Sequence, residues 1–140
     1  MARNTTRQGA NYELVIMHFL AGTQPDVWGP GFGYDAWRSS GSRGAIDVTA
    51  VGPRAVNPFW KGEVSDGGPL LFIQAKRNQV YLGPADAQRV HDLSVRAGAV
   101  PLLSSMTEDA ENGLKRPHFW VIDPTTTPSK WAPWEPGEDE

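Results

Sequence analysis

A chain of 140 residues with 39% hydrophobic content supports one compact domain and is too short for two ordinary ones. It has no cysteine, which excludes disulfide frameworks, thiol catalysis and cysteine-based zinc sites, and no run reaches the roughly 18 apolar residues of a membrane span. The net charge of −3 argues against a strongly basic nucleic-acid binder, yet four of the 16 acids (Glu135, Glu138, Asp139 and Glu140) crowd into the last six residues.

Setting those four aside leaves 12 acidic against 13 basic side chains over residues 1–134. Any contact with DNA must therefore come from a local patch, since the overall field is too weak to steer it. The opening residues carry no apolar stretch of the secretory kind, so the expected location is intracellular, by default the cytoplasm.

Thr5 and Gln8 have capping-box spacing, and a periodic apolar stretch runs from Tyr12 to Leu20 before Gly22. A helix is expected over 5–21, with Glu13 on it. Residues 22–36 are rich in Gly, Pro and aromatics and read as an irregular loop. A strand pattern starts at Trp37, breaks at SSGSRG and resumes as AIDVTAV. After a second Gly/Pro-rich segment, 52–69, PLLFIQAK is a short apolar run that suits a central strand. Gly83-Pro84 marks a helix start, and apolar residues at Ala87, Val90, Leu93 and Ala97 precede the stop at Gly98. VPLL and HFWVID are two further strands. The order α-β-β-β-α-β-β implies a mixed sheet with helices against it. Residues 124–140 read as an extended Pro- and Trp-containing acidic tail, docked by Trp131 and Trp134, outside a domain spanning 1–123.

Gln74 and Lys76 sit two apart on an apolar strand, so their side chains leave one face. Burying an unpaired amide and an ammonium costs several kcal/mol, so something polar must compensate. Asp47, flanked by AI and VTAV, presents the same anomaly. If the two strands pair, Asp47, Gln74 and Lys76 converge, and Glu13 can join from the helix. Two carboxylates, an amide oxygen and a lysine suit Mg²⁺-assisted phosphodiester hydrolysis, because Mg²⁺ takes hard oxygen ligands and keeps several waters. Lys76 then orients or deprotonates the water, or neutralises charge on the phosphate.

The stretches RQGANYE, WRSSGSRGAIDVTAV, LLFIQAK, VYLGPADAQRVHDLSVRAGAVPLL and FWVID, in that order, resemble the archaeal-type Holliday junction resolvases of the PD-(D/E)XK nuclease superfamily. The likeness covers roughly residues 3–123. It implies an α/β, single-domain, restriction-endonuclease-like core, a central mixed β-sheet flanked by helices. It implies too a homodimer that nicks four-way DNA junctions in pairs with Mg²⁺, with Mn²⁺ able to substitute. By this resemblance Glu13, Asp47 and Gln74 match the metal-binding acids, Lys76 the catalytic lysine, Arg38 a functional arginine and Ser42 a serine near the scissile phosphate. Arg7 and Gly9 match the basic N-terminal motif. Gln74 replaces the usual Glu, Leu14 stands where an arginine is common, Gln8 replaces a lysine, and segments 22–36 and 52–69 are longer than is typical.

Plainer readings stand beside these. Glu13 alone is a solvated helix residue, Asp47 a strand-end partner of Arg38 or Arg43, and Lys76 a surface lysine. Arg38, Ser39, Ser40, Gly41, Ser42 and Arg43 form either a flexible turn or a phosphate-binding loop with two arginines. Arg77, Arg89 and Arg96 are DNA-backbone contacts or a solvated face. Trp28, Phe32, Tyr34, Phe59 and Trp60 anchor the long loops or wedge against bases at a junction. An inert DNA-structure-binding module and another nuclease of the superfamily are the competing functions.

Overall fold

The structure, a computed structural model, describes residues 2–22, 32–38, 46–52, 70–108 and 113–136, with side chains in the first helix from Tyr12 onward. Helix α1 spans Ala2–Ala21, three residues earlier than its capping signal, because nothing in the preceding segment breaks helical backbone. It stops at Gly22, whose positive φ of 76° suits a residue without a Cβ and whose N–H donates to His18 O at 2.8 Å. The chain returns alongside: the Phe32 and Tyr34 N–H groups both donate to Leu20 O, at 3.1 and 3.2 Å.

Among the described residues, six strands form one sheet in sequential order: β1 (Asp35–Arg38), β2 (Val48–Val51), β3 (Leu70–Ala75), β4 (Val100–Glu108), β5 (Lys115–Val121) and β6 (Pro133–Trp134). All neighbours are antiparallel except β3 and β4, which are parallel and joined by helix α2 (Pro84–Ala97). The result is a mixed α/β sheet with a helix on each side. No helix among the described residues is long and apolar enough to cross a membrane.

Alternation along the strands divides the core in two. Val48, Ala50, Leu71, Ile73, Leu102 and Phe119 pack with Tyr12, Ile16, Phe19 and Leu20 of α1. On the opposite face, Leu103 and Ile122 pack with Ala87 and Val90 of α2 and with Leu82 and Trp131. Each fully buried Leu or Ile contributes about 1.5–3 kcal/mol, so the two layers supply the main drive for folding.

Helix α2 has the expected limits, with Pro84 in its first turn and Gly98 at φ 73° closing it. Its buried stripe differs from expectation: Ala87, Val90 and Ser94 face the sheet, whereas Leu93 is half-buried and Ala97 exposed. The turn of 3.6 residues carries the face from Val90 to Ser94, and Ser94 is small enough to fit. Strand β4 runs five residues beyond VPLL. The segment expected as a tail enters the fold over residues 124–136. A single 3₁₀ turn, Pro128–Lys130, leads to β6. Trp131 is buried and donates from Nε1 to Asp123 O at 2.8 Å, and Trp134 meets Phe119 edge-on at 5.7 Å.

Candidate active site

The β2–β3 ladder ends at the pair Val48–Ile73, and Asp47 follows immediately. Its N–H still donates to Ile73 O at 2.9 Å. Beyond that point the strands part, and the Ala75 N–H loses the strand acceptor it would otherwise have. The Asp47 side chain replaces it: Oδ2 accepts from Ala75 N at 2.8 Å. An unpaired buried N–H costs about 1–3 kcal/mol, so this bond fixes the carboxylate at the fork. On the other edge of β3, the Lys76 N–H donates to Ser104 O at 2.9 Å, which keeps the main chain straight through the lysine.

Burial is the main influence on Asp47 and raises its pKa; the bond from Ala75 and the nearby Lys76 charge pull it back only in part. Glu13, half-buried on α1, is raised first by burial and then by the Asp47 carboxylate, with Arg38 opposing. These mutual influences join four sequence-predicted residues into one group: Glu13 with Asp47, Glu13 with Arg38, and Asp47 with Lys76. Two carboxylates kept above their ordinary pKa range chiefly by burial, despite Arg38 and Lys76, favour a further cation.

Gln74 stands between the two residues whose main chains grip Asp47, and pairs in register with Leu103. Leu103 belongs to the α2 layer, so alternation sends Gln74 to that face, opposite Ile73 and Ala75. Its Oε1 is buried without a hydrogen-bond partner, which is the state of an acceptor that lacks its donor or ion. The Arg77 charge acts on Tyr12, the residue before Glu13. Arg38 is exposed at the end of β1. Arg7 and Gly9 lie on the backbone of α1, where side chains fall outside the described residues; so do Ser39, Ser42 and Arg43. Phe32 and Tyr34 pack against the α1 layer as loop anchors, while Trp28, Phe59 and Trp60 fall outside the described residues.

Sequence reasoning passed over Tyr12 and Ser104. The Tyr12 OH and Ser104 Oγ lie 2.8 Å apart in the core. A Ser-Ser pair after an apolar run was the available signal, but it reads equally as a turn.

No protein-family model matches the chain, and no curated protein matches it. Among solved structures, the chain is similar to a Holliday junction resolvase from the archaeal hyperthermophile Archaeoglobus fulgidus. The identity is 14% and the TM-score 0.45, over 80% of this chain and 74% of that one.

The donor set fits a hard divalent ion. Among the described residues no cluster of three His, Cys, Asp or Glu side chains assembles. The Glu13 and Asp47 carboxylates nevertheless meet the needs of Mg²⁺, which is commonly bound through one or two carboxylates and several waters; the Gln74 side chain leaves on the α2 face, away from the helix that carries Glu13.

Proposed function

We propose that this protein is a divalent-metal-dependent endonuclease that resolves four-way DNA junctions by paired nicks. The observation that carries the reading is the arrangement at the fork, where Asp47 is bonded to Ala75 N–H and coupled to both Glu13 and Lys76. The ordered sequence resemblance to junction resolvases supports the choice of substrate.

Glu13 and Asp47 would hold Mg²⁺ or Mn²⁺; Gln74, a third oxygen by the sequence resemblance, would have to reach the ion round the end of β3 from the α2 face. A divalent ion bound there supplies neutralisation of phosphate charge and a more acidic water. Lys76 orients the attacking water or takes its proton, and Arg38 binds phosphate oxygens through its fork of N–H donors. Water adds across the phosphodiester, leaving one strand end as a phosphate monoester and the other as a hydroxyl. Asp47, held by a main-chain bond, needs little reorganisation to serve as ligand. The reading places the enzyme inside the cell, acting as a homodimer so that two sites meet the two-fold symmetry of a junction.

The test is cleavage of a mobile four-way junction and of a matched linear duplex, with Mg²⁺ and with Mn²⁺, beside Lys76→Ala. Selective nicking of the junction by the wild type alone is expected; equal cutting of both substrates would sink the resolvase reading. One observation favours a second reading. Gln74 gives the site an amide where an acid is usual, which suits an inert junction-binding module that binds DNA in chelator and nicks with no metal.

A further inference from the structure

The Tyr12–Ser104 pair adjoins three residues of the candidate site, Glu13, Lys76 and, through Ala75, Asp47. Both residues are fully shielded from solvent, and their 2.8 Å bond ties α1 to β4. Tyr12 directly precedes Glu13. The Ser104 carbonyl accepts from the Lys76 N–H at 2.9 Å. Ser104 is also in register with Ala75, the residue whose N–H holds Asp47.

Two apolar side chains would fill this volume without the cost of desolvating two hydroxyls. What the hydroxyl pair adds over apolar packing is direction. Hydrophobic contact tolerates rotation of a helix about its own axis, whereas a bond of this length does not. A carboxylate roughly 6 Å from that axis moves about 1 Å for each 10° of rotation, enough to spoil a metal ligand.

We infer that Ser104 and Tyr12 are positioning residues for the metal-binding site, their bond setting the rotation of α1 that presents Glu13 to Asp47. The inference rests on reading Glu13 and Asp47 as the metal-binding carboxylates. Neither Ser104 nor Tyr12 touches the substrate. Ser104 works from the next strand, its side chain ordering the helix and its main chain ordering Lys76.

The full chain is compared with Tyr12→Phe, Ser104→Ala, the double variant and Ser104→Thr. Mn²⁺ binding without DNA is followed by electron paramagnetic resonance, and junction nicking is followed at saturating metal. Each single variant should weaken Mn²⁺ binding about tenfold. It should lower kcat without changing KM for the junction. The double variant should be no worse than either single one, because both remove the same bond. Ser104→Thr, which keeps the hydroxyl, should restore binding. Should Ser104→Ala not fold, Tyr12→Phe carries the test alone, since it keeps the ring. Variants that are less stable yet bind Mn²⁺ like the wild type overturn the inference. A wild type that binds no Mn²⁺ overturns the functional reading and this inference with it; normal wild-type binding with unaffected variants overturns this inference only.

Discussion

Asp47 keeps its place through a bond that a neighbouring strand would ordinarily make, and that bond holds an ionised group where burial disfavours it. Asp47 and Glu13 both have folded-state pKa values above the ordinary carboxylate range. The native protein therefore binds more protons than the unfolded chain between the two values, and stability falls as pH rises through that interval. At neutral pH the pair is a net cost. Asp47→Asn keeps an oxygen for the Ala75 N–H and removes the charge. It should raise the melting temperature at pH about 7, with the gain vanishing below pH about 3, while abolishing nicking. An unchanged or lowered melting temperature at neutral pH contradicts this charge conflict. Lys76→Ala should cut the nicking rate about 10²–10⁴-fold with folding intact, because the hydrogen bond it makes to Ser104 is from the main chain. Gln74→Glu should lower the Mg²⁺ concentration for half-maximal nicking, and should be less stable than wild type in chelator. A midpoint that stays or rises removes Gln74 from the metal's contacts. The anomalies of Asp47 and Lys76 were legible in the sequence, because charged groups stood inside apolar strands. The direction of Gln74 was not, since it depends on its register with Leu103. Tyr12 and Ser104 were hidden because each becomes polar-and-buried only through the other.

At the scale of elements, the C-terminal segment holds more of the fold than its composition suggests. Arg116 Nη2 donates to both oxygens of Glu135 at 3.0 Å, and its guanidinium lies 5.5 Å from the centre of the Phe19 ring. This joins α1, β5 and the end of β6. The ion pair is partly exposed, so Glu135→Ala should cost only about 1 kcal/mol. Trp131→Ala removes a buried indole together with its bond to Asp123 O and should cost about 3–5 kcal/mol in urea unfolding. A loss under 1 kcal/mol would return the segment to the role of a loose tail. Helix α2 was legible because Pro84 and Gly98 punctuate it. Strand β6 was not, since two residues carry no periodicity and the pairing with Phe119 and Trp120 creates it. Strand β4 extends past its sequence signal because Ser104 and Ser105 resemble turn residues, although both are buried in the sheet.

Across the whole molecule, near-neutral charge over residues 1–134 means that selectivity must come from shape and from a local patch. The β2–β3 ladder stops at Val48–Ile73 while β3 stays paired with β4 through Ala75–Ser104, and the fork this leaves at the C-terminal end of β3 gathers Asp47, Glu13 and Lys76. The succession of elements along the chain followed from the order of patterns, but the parting of β2 and β3 depends on where a ladder stops, which no periodicity records. Junction resolution by this site is decided by nicking of a mobile four-way junction against a matched linear duplex in Mg²⁺, with Lys76→Ala alongside. Paired nicks in the junction, an intact duplex and loss of activity in the variant are expected. Equal cutting of junction and duplex, or junction binding without scission in any divalent metal, would contradict it.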